Sequence, residues 1–252
     1  MKRTVYFFLM FVLPSLCFGN NPADGFFASG NTFYAKGNYK EALAAYQKVL
    51  DAGYQSAALY FNMGNASYKT DDIASAILYY EKAHKLNPAD EDINFNIRYA
   101  NLKTTDKIDE APEFFITRWW RGFILGFSLN TLALLSILFI LAASGVLILY
   151  FFANAVLLKK VSFFSSIALF FVGAIFVFIG NRQTNYTSAH KEAIVFSSST
   201  NVKSSPVDKA ATLFVIHDGT KVNILDSSNG WAKIKLLNSN EGWIRSADIK
   251  AI

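Results

Sequence analysis

The chain has 252 residues, of which 52% are hydrophobic and 17% charged. Soluble domains average about 45–50% apolar and roughly 25% charged, so part of this chain is built for a membrane. The net charge of +5 is unevenly spread: residues 20–113 carry nine Lys/Arg against thirteen Asp/Glu, residues 183–252 carry eight against six, and the other basic residues are Lys2, Arg3, Arg118, Arg121, Lys159, Lys160 and Arg182. Most of those flank hydrophobic stretches, which argues against nucleic acid, whose recognition needs basic residues gathered on one folded face. Cys17 is the single cysteine, so it can build no disulfide, zinc cluster or catalytic pair.

The chain opens with Lys2-Arg3, an apolar run from Val5 to Leu16, and small Gly19 before polar Asn20-Asn21-Pro22. That order predicts a secretory signal peptide over residues 1–19. The run is shorter than the roughly 20 residues a span requires. Lipidation at Cys17 is the alternative, although bulky Leu16 stands where a small residue is expected.

Residues 26–50 and 60–84 match at a spacing of 34: Gly30-Asn31 recurs as Gly64-Asn65, Ala42 as Ala76, Tyr46 as Tyr80 and Phe26 as Tyr60. The period and pattern resemble the tetratricopeptide repeat. Two helix pairs are predicted, at about 24–36 with 39–51 and 57–69 with 73–85. Small residues mark the close approach in each pair, and Pro88 ends the second. Gly53-Tyr54 stands where the first unit would carry its proline. Residues 91–105 are predicted to form a capping helix with Ile93, Ile97 and Leu102 as its apolar stripe, completing a domain over 20–110. The resemblance implies a concave groove built by the first helix of each pair. The candidate partner-binding residues there are Phe27, Asn31 and Tyr34, then Phe61, Asn65, Tyr68 and Lys69. An asparagine amide has both a donor and an acceptor for a peptide backbone; the competing reading is that asparagine is merely common at these positions. Phe27 stands where carboxylate-clamping relatives carry lysine, which favours an apolar segment as the ligand.

Residues 122–158 and 161–181 contain no charge. Two transmembrane helices are predicted, at 129–151 and 161–180. The turn between them, 152–160, carries Lys159-Lys160 and is expected in the cytoplasm. Trp119-Trp120, just before the first span, suits the headgroup region as an anchor, or else marks a lipid or partner site. A leader followed by an even number of spans places both soluble parts in the periplasm.

From Gln183 to Ser205 the chain reads as a linker with one strand at 193–196. Short strands are then expected at 213–217, 221–225, 231–236 and 242–246, with Asn229-Gly230 as a hairpin turn. So many short strands in so few residues predict a small all-β barrel over 190–252. His217-Asp218-Gly219-Thr220-Lys221-Val222, Gly230-Trp231 and Glu241-Gly242-Trp243-Ile244 resemble a bacterial SH3 domain. Strand parity puts Ala232, Ile234 and Leu236 in the core. It puts Trp231 on the opposite, wetter face, where related domains hold ligand, so Trp231 is a candidate contact. Arg245 and Asp248 stand where proline-binding SH3 domains carry proline and tyrosine.

His84, His190 and His217 fall in separate elements with no motif spacing for a metal or a nucleophile–base pair. No cofactor is expected and an enzyme is not predicted. The fold class is a multidomain membrane protein: an all-α tetratricopeptide domain, a two-helix membrane hairpin and an all-β SH3-like barrel. This order resembles the BatE family of the Bacteroides aerotolerance operon. The resemblance implies an inner-membrane scaffold with both soluble domains periplasmic. It also implies partners with von Willebrand type A domains, in a complex linked to aerotolerance or envelope stress. The alternative is an envelope sensor whose barrel binds cell-wall peptide.

Overall fold

A computed structural model describes residues 22–109 and 111–252. The predicted leader and Cys17 lie outside the described residues. The chain divides into two compact units, one reaching to Tyr54 and one from Gln55 to Ile252.

In the first unit, α1 (Pro22–Ala35) pairs with α2 (Tyr39–Asp51). Tyr46 from α2 lies over Gly30 of α1, where a Cβ would overlap its ring. The chain reverses at Gly37, whose φ of 78° a glycine adopts without a Cβ clash.

The second unit opens with the same motif. Ser56 caps α3 (Ala57–Lys69) by accepting the Leu59 N–H, and Asp72 caps α4 (Ile73–Leu86) by accepting the Ser75 N–H. Tyr80 occupies the space beside Gly64, and Ala76, Ile77 and Ala66 are fully buried. Asp90 then caps α5 (Glu91–Asn101). The predicted capping helix therefore forms but is shorter than 91–105. Its expected stripe also needs correction: Ile93 is buried, whereas Leu102 is 72% exposed. Leu102 sits at the helix C-terminus, and Ala100 is the residue that turns inward.

Helix α6 (Phe115–Leu125) precedes the membrane hairpin of α7 (Leu129–Phe152) and α8 (Val156–Ala189). Both α7 and α8 are long and apolar enough to cross a membrane. They approach closely through small residues: Ser136, Ala143, Ser166 and Gly173 are all buried, and a Cβ at Gly173 would stand 2.9 Å from Ile140 Cγ1. The predicted turn at 152–160 shrinks to residues 153–155, and Lys159-Lys160 falls in the opening turns of α8. At 1.5 Å per residue α8 is about 50 Å long, more than the ~30 Å hydrocarbon layer. Asn181–Ala189 contains neither proline nor glycine, so the helix continues past its apolar part, into the stretch expected to be a linker.

The C-terminal part is a seven-stranded antiparallel sheet: β1 (Lys191–Val195), β2 (Thr200–Lys203), β3 (Thr212–Ile216), β4 (Lys221–Ser228), β5 (Trp231–Lys235), β6 (Glu241–Arg245) and β7 (Ile249–Ala251), in the spatial order β3-β2-β6-β5-β4-β1-β7. Its core joins Val195, Val202, Ile216, Val222, Ala232, Ile234, Leu236 and Ile244, so the parity expected for β5 is observed. Asn229 and Gly230, at φ 49° and 80°, make the two-residue turn between β4 and β5. The short strands β2 and β7 are additions to those expected from the sequence.

The sheet is packed directly on the second repeat. Ile194 of β1 is fully buried among Ala74, Ala76, Ile77, Leu78, Tyr80 and Ala100, with Phe196 and Ile252 beside it. Lys221 bonds Glu81 at 2.9 Å and Glu192 at 3.1 Å. Burial depresses the Lys221 pKa, but the pull of Glu81 and Glu192 is stronger and holds it above the ordinary lysine value. The segment after α5 straps across the barrel: Ile108 packs on its core, and the Ala111 N–H donates to Leu237 O. Asp106 accepts the His217 N–H at 2.7 Å and the Thr220 hydroxyl at 2.7 Å, and His217 Nδ1 lies 2.9 Å away. His217 is therefore not isolated. Burial raises the Asp106 pKa, and the His217 and Thr220 donors outweigh that, holding the carboxyl below its usual value.

Asp106 therefore contributes stability that is complete above the unfolded carboxyl pKa of about 3.9 and is lost as pH falls from there through its lower folded value. Asp106→Asn should weaken the docking of barrel on repeat by about 1.5–3 kcal/mol at neutral pH. The same change should flatten the loss of docking below about pH 4. Protease cleavage of the 102–112 strap in detergent-solubilised full chain, followed against pH, reads both effects.

Candidate functional site

The 34-residue spacing has a structural reason that can be followed atom by atom. In the first unit the Tyr46 hydroxyl donates to Asn31 Oδ1 at 2.8 Å, and Phe27 lies 5.8 Å from the Tyr46 ring. In the second the Tyr80 hydroxyl donates to Asn65 Oδ1 at 2.8 Å, and Phe61 lies 6.0 Å from the Tyr80 ring. Glycine admits the tyrosine ring against the first helix, and the next residue, asparagine, accepts its hydroxyl. A buried tyrosine needs such a partner.

This corrects the expectation that both ends of each amide await a ligand. Asn65 Oδ1 also accepts the Asn96 Nδ2–H at 2.9 Å. The two asparagine carbonyls hold their repeats together, and Asn65 further ties α3 to α5.

Around Asn65 lies a surface that is aromatic and open. Tyr68 lies 5.6 Å from Tyr99, and Tyr99 stacks with Phe95 at 6.0 Å. Phe95 is 57% exposed and Tyr99 49% exposed. The Lys103 ammonium sits 4.5 Å from the Tyr68 ring centre and pairs with Asp71 at 3.0 Å. Lys69 is exposed at the end of α3. Phe61, Asn65 and Tyr68 are thus joined by Phe95, Asn96 and Tyr99, which sequence reasoning missed. The signal was present: Phe95 follows Phe61 by 34 residues, as Phe61 follows Phe27, and Ala100 follows Ala66 likewise. Helix α5 occupies the place of the first helix of a third repeat. Phe27, Asn31 and Tyr34 belong to the first unit, where Tyr34 packs edge-on against Tyr39 at 5.2 Å.

In the barrel, Trp231 does lie opposite the core face, but it is only 6% exposed. Arg245 covers it, with the guanidinium carbon 4.3 Å from the ring centre, and Asp208 pairs with Arg245. The expectation of a wet Trp231 is corrected: alternation sets which side of the strand a residue takes, while a long arginine from the neighbouring strand decides whether water reaches it.

A cleft of about 1000 Å³ opens beside the strap, lined among others by Glu81, Lys85, Glu113, Arg121, His190 and Lys221. Its charges are partly matched already, as Arg121 bonds Glu113 at 2.8 Å and Lys221 bonds Glu81. Among the described residues no three His, Cys, Asp or Glu gather as a metal site.

With this geometry in place, residues 27–91 match the tetratricopeptide repeat family and residues 198–250 the bacterial SH3 domain. No curated protein shows a significant match to the chain. Tetratricopeptide repeats suggest protein–protein interaction, and bacterial SH3 domains suggest peptide or peptidoglycan binding. β1 lies before the SH3 match, and it is the strand that carries Ile194 into the repeat.

Removing the Tyr80 hydroxyl in Tyr80→Phe should cost about 0.5–1.5 kcal/mol of repeat stability. Asn65→Ala should cost more, because Tyr80 and Asn96 both lose a partner. Urea unfolding followed by far-ultraviolet circular dichroism would order wild type, Tyr80→Phe and Asn65→Ala in that sequence.

Proposed function

We propose that this protein is a membrane-anchored scaffold of the bacterial envelope. Its repeats and barrel face the periplasm, and the repeats capture a segment of a partner protein. The observation that carries the reading is the aromatic row Phe61, Tyr68, Phe95 and Tyr99 on α3 and α5, in which Phe61 and Tyr68 are half-buried and Phe95 and Tyr99 are exposed. Side chains of this kind are enriched where proteins bind. Phe27, Asn31 and Tyr34 are their repeat equivalents in the first unit, and Lys69 adds a basic margin. Asparagine then acts as a positioning residue, fixing α3 against α5, and the aromatics bury apolar side chains of the segment.

The membrane arrangement has its own support. Glu81 and Asp106 precede the hairpin in sequence, and Lys221, His217 and Thr220 follow it. Their contacts support a reading with both sets on one side of the bilayer, as two crossings allow. The leader at residues 1–19 argues that this side is the periplasm. The resemblance to the BatE family then makes von Willebrand type A domain proteins the partners, within a complex serving aerotolerance or envelope stress. A second reading, an envelope sensor whose barrel binds cell-wall peptide, is favoured by the match to the bacterial SH3 domain alone. Retention of the full chain on peptidoglycan would support it.

Cysteines introduced at Ser56 and Ser239, with Cys17 replaced, should both react with a membrane-impermeant thiol reagent in spheroplasts. Reaction at one site only would break the topology.

Phe95→Ala with Tyr99→Ala should weaken partner capture about tenfold or more, ~1.4 kcal/mol. Stability should change little, since both rings are half in water. Co-purification from detergent-solubilised membranes measures the loss. Unchanged capture would remove this surface from the account.

A further inference from the structure

Helix α6 holds a feature that neither the repeats nor the barrel require. Phe115, Ile116, Trp119, Trp120 and Phe123 are all exposed, Trp119 by 61%. At about 100° per residue these five fall on one arc of about 140°. Arg121 lies opposite the centre of the arc, and Thr117 and Arg118 each lie about 60° beyond one of its ends. The polar side is engaged: Arg121 bonds Glu113 and interacts with Tyr186 on the polar extension of α8. Ile124 is buried. The apolar side is covered by nothing in the described residues. Its rings support one another, Trp119 and Trp120 stacking on Phe123 at 5.9 and 6.1 Å.

What covers this face follows from where the helix ends. Only Gly126, Phe127 and Ser128 separate α6 from the start of the first apolar helix, and Phe127 and Leu129 continue the exposed apolar surface. Three residues extend about 10 Å at most, so α6 cannot leave the neighbourhood of the bilayer surface. The charge agrees: between Glu113 and Glu192 the sequence has no acidic residue, while Arg118, Arg121 and Arg182 flank the membrane helices. Tryptophan with arginine beside an apolar face suits the layer where phosphates meet acyl chains.

We propose that α6 is an interfacial helix. Its Phe115–Phe123 face is immersed at the boundary of headgroups and acyl chains, on the side of the bilayer that carries the repeats and the barrel, and Arg118, on the flank beyond Phe115, reaches lipid phosphate with its long side chain. The proposal rests on the reading of α7 and α8 as membrane spans. Through Glu113–Arg121 and the Arg121–Tyr186 contact, α6 holds the strap and the end of α8 at a fixed height above the lipid.

The test is site-directed spin labelling of the full chain, with Cys17 replaced, in vesicles of phosphatidylethanolamine and phosphatidylglycerol. Labels enter singly through Ile116→Cys, Thr117→Cys, Trp119→Cys, Arg121→Cys and Phe123→Cys, with Leu134→Cys in α7 as the membrane control. Labels at 116, 119 and 123 should be reached by oxygen and shielded from a water-soluble nickel complex. The labels at 117 and 121 should show the reverse preference. Nickel access at 116, 119 and 123, with Leu134→Cys still in lipid, would overturn the proposal in favour of a helix standing in water. Immobilised labels reached by neither agent would overturn it in favour of a protein partner or a second copy. Nickel access at Leu134→Cys would overturn the membrane reading itself, and this proposal with it.

Discussion

The contact between Ile194 and the second repeat is the constraint on which the rest of the second unit depends. A tetratricopeptide pair has an apolar side on each helix and normally buries it against the next pair. Here α5 supplies the first helix of a third pair, and among the described residues the chain runs on from it as the strap instead of turning into a paired second helix. The side of α4 and α5 that would have met that helix carries Ala74, Ile77 and Ala100. The barrel fills the place with Ile194, Phe196 and Gly219. A Cβ at Gly219 would come within 2.8 Å of Thr104 and 3.3 Å of Ile77, so the close approach depends on its being glycine. Water is excluded, and the two modules share one hydrophobic cluster rather than hanging from separate linkers.

Polar groups around that cluster set its register. Lys221 reaches Glu81 and Glu192, and Asp106 reaches back from the strap to His217 and Thr220. Each is a buried or half-buried charge with matched donors or acceptors, the condition under which a desolvated ion is tolerated. Removing either partner would leave the other charged in a poorly hydrated place. The hydrophobic contact supplies attraction without direction, and these bonds supply the direction.

The membrane hairpin makes the same contact possible. Strap and barrel are separated in sequence by α6, α7 and α8, and they meet because α7 and α8 pack along one another as a hairpin that brings the chain back. The polar extension of α8 then carries β1 to the repeat. The aromatic surface around Phe95 and Tyr99, the barrel and the apolar hairpin of the second unit are therefore linked through a few packed pieces.

Periodicity and patterning by themselves determined much here. The 34-residue repeat gave the helix pairs nearly to the residue, because glycine, alanine and tyrosine must recur wherever helices pack at the same distance. The long uncharged runs gave two helices long and apolar enough to cross a membrane, and alternation with Asn229-Gly230 gave five of the seven strands of the sheet. What local pattern could not supply was the use of each side chain once distant segments met. Asn65 became an acceptor for Tyr80 and Asn96 instead of a free amide, Arg245 closed over Trp231, and His217 found Asp106 across more than a hundred residues of chain. The docking of barrel on repeat was likewise invisible, because Ile194 in a strand and Ile77 in a helix each satisfy their own local pattern. Only the tertiary structure shows that the two buried faces cover one another, since hydrophobic burial has no sequence-local partner to name.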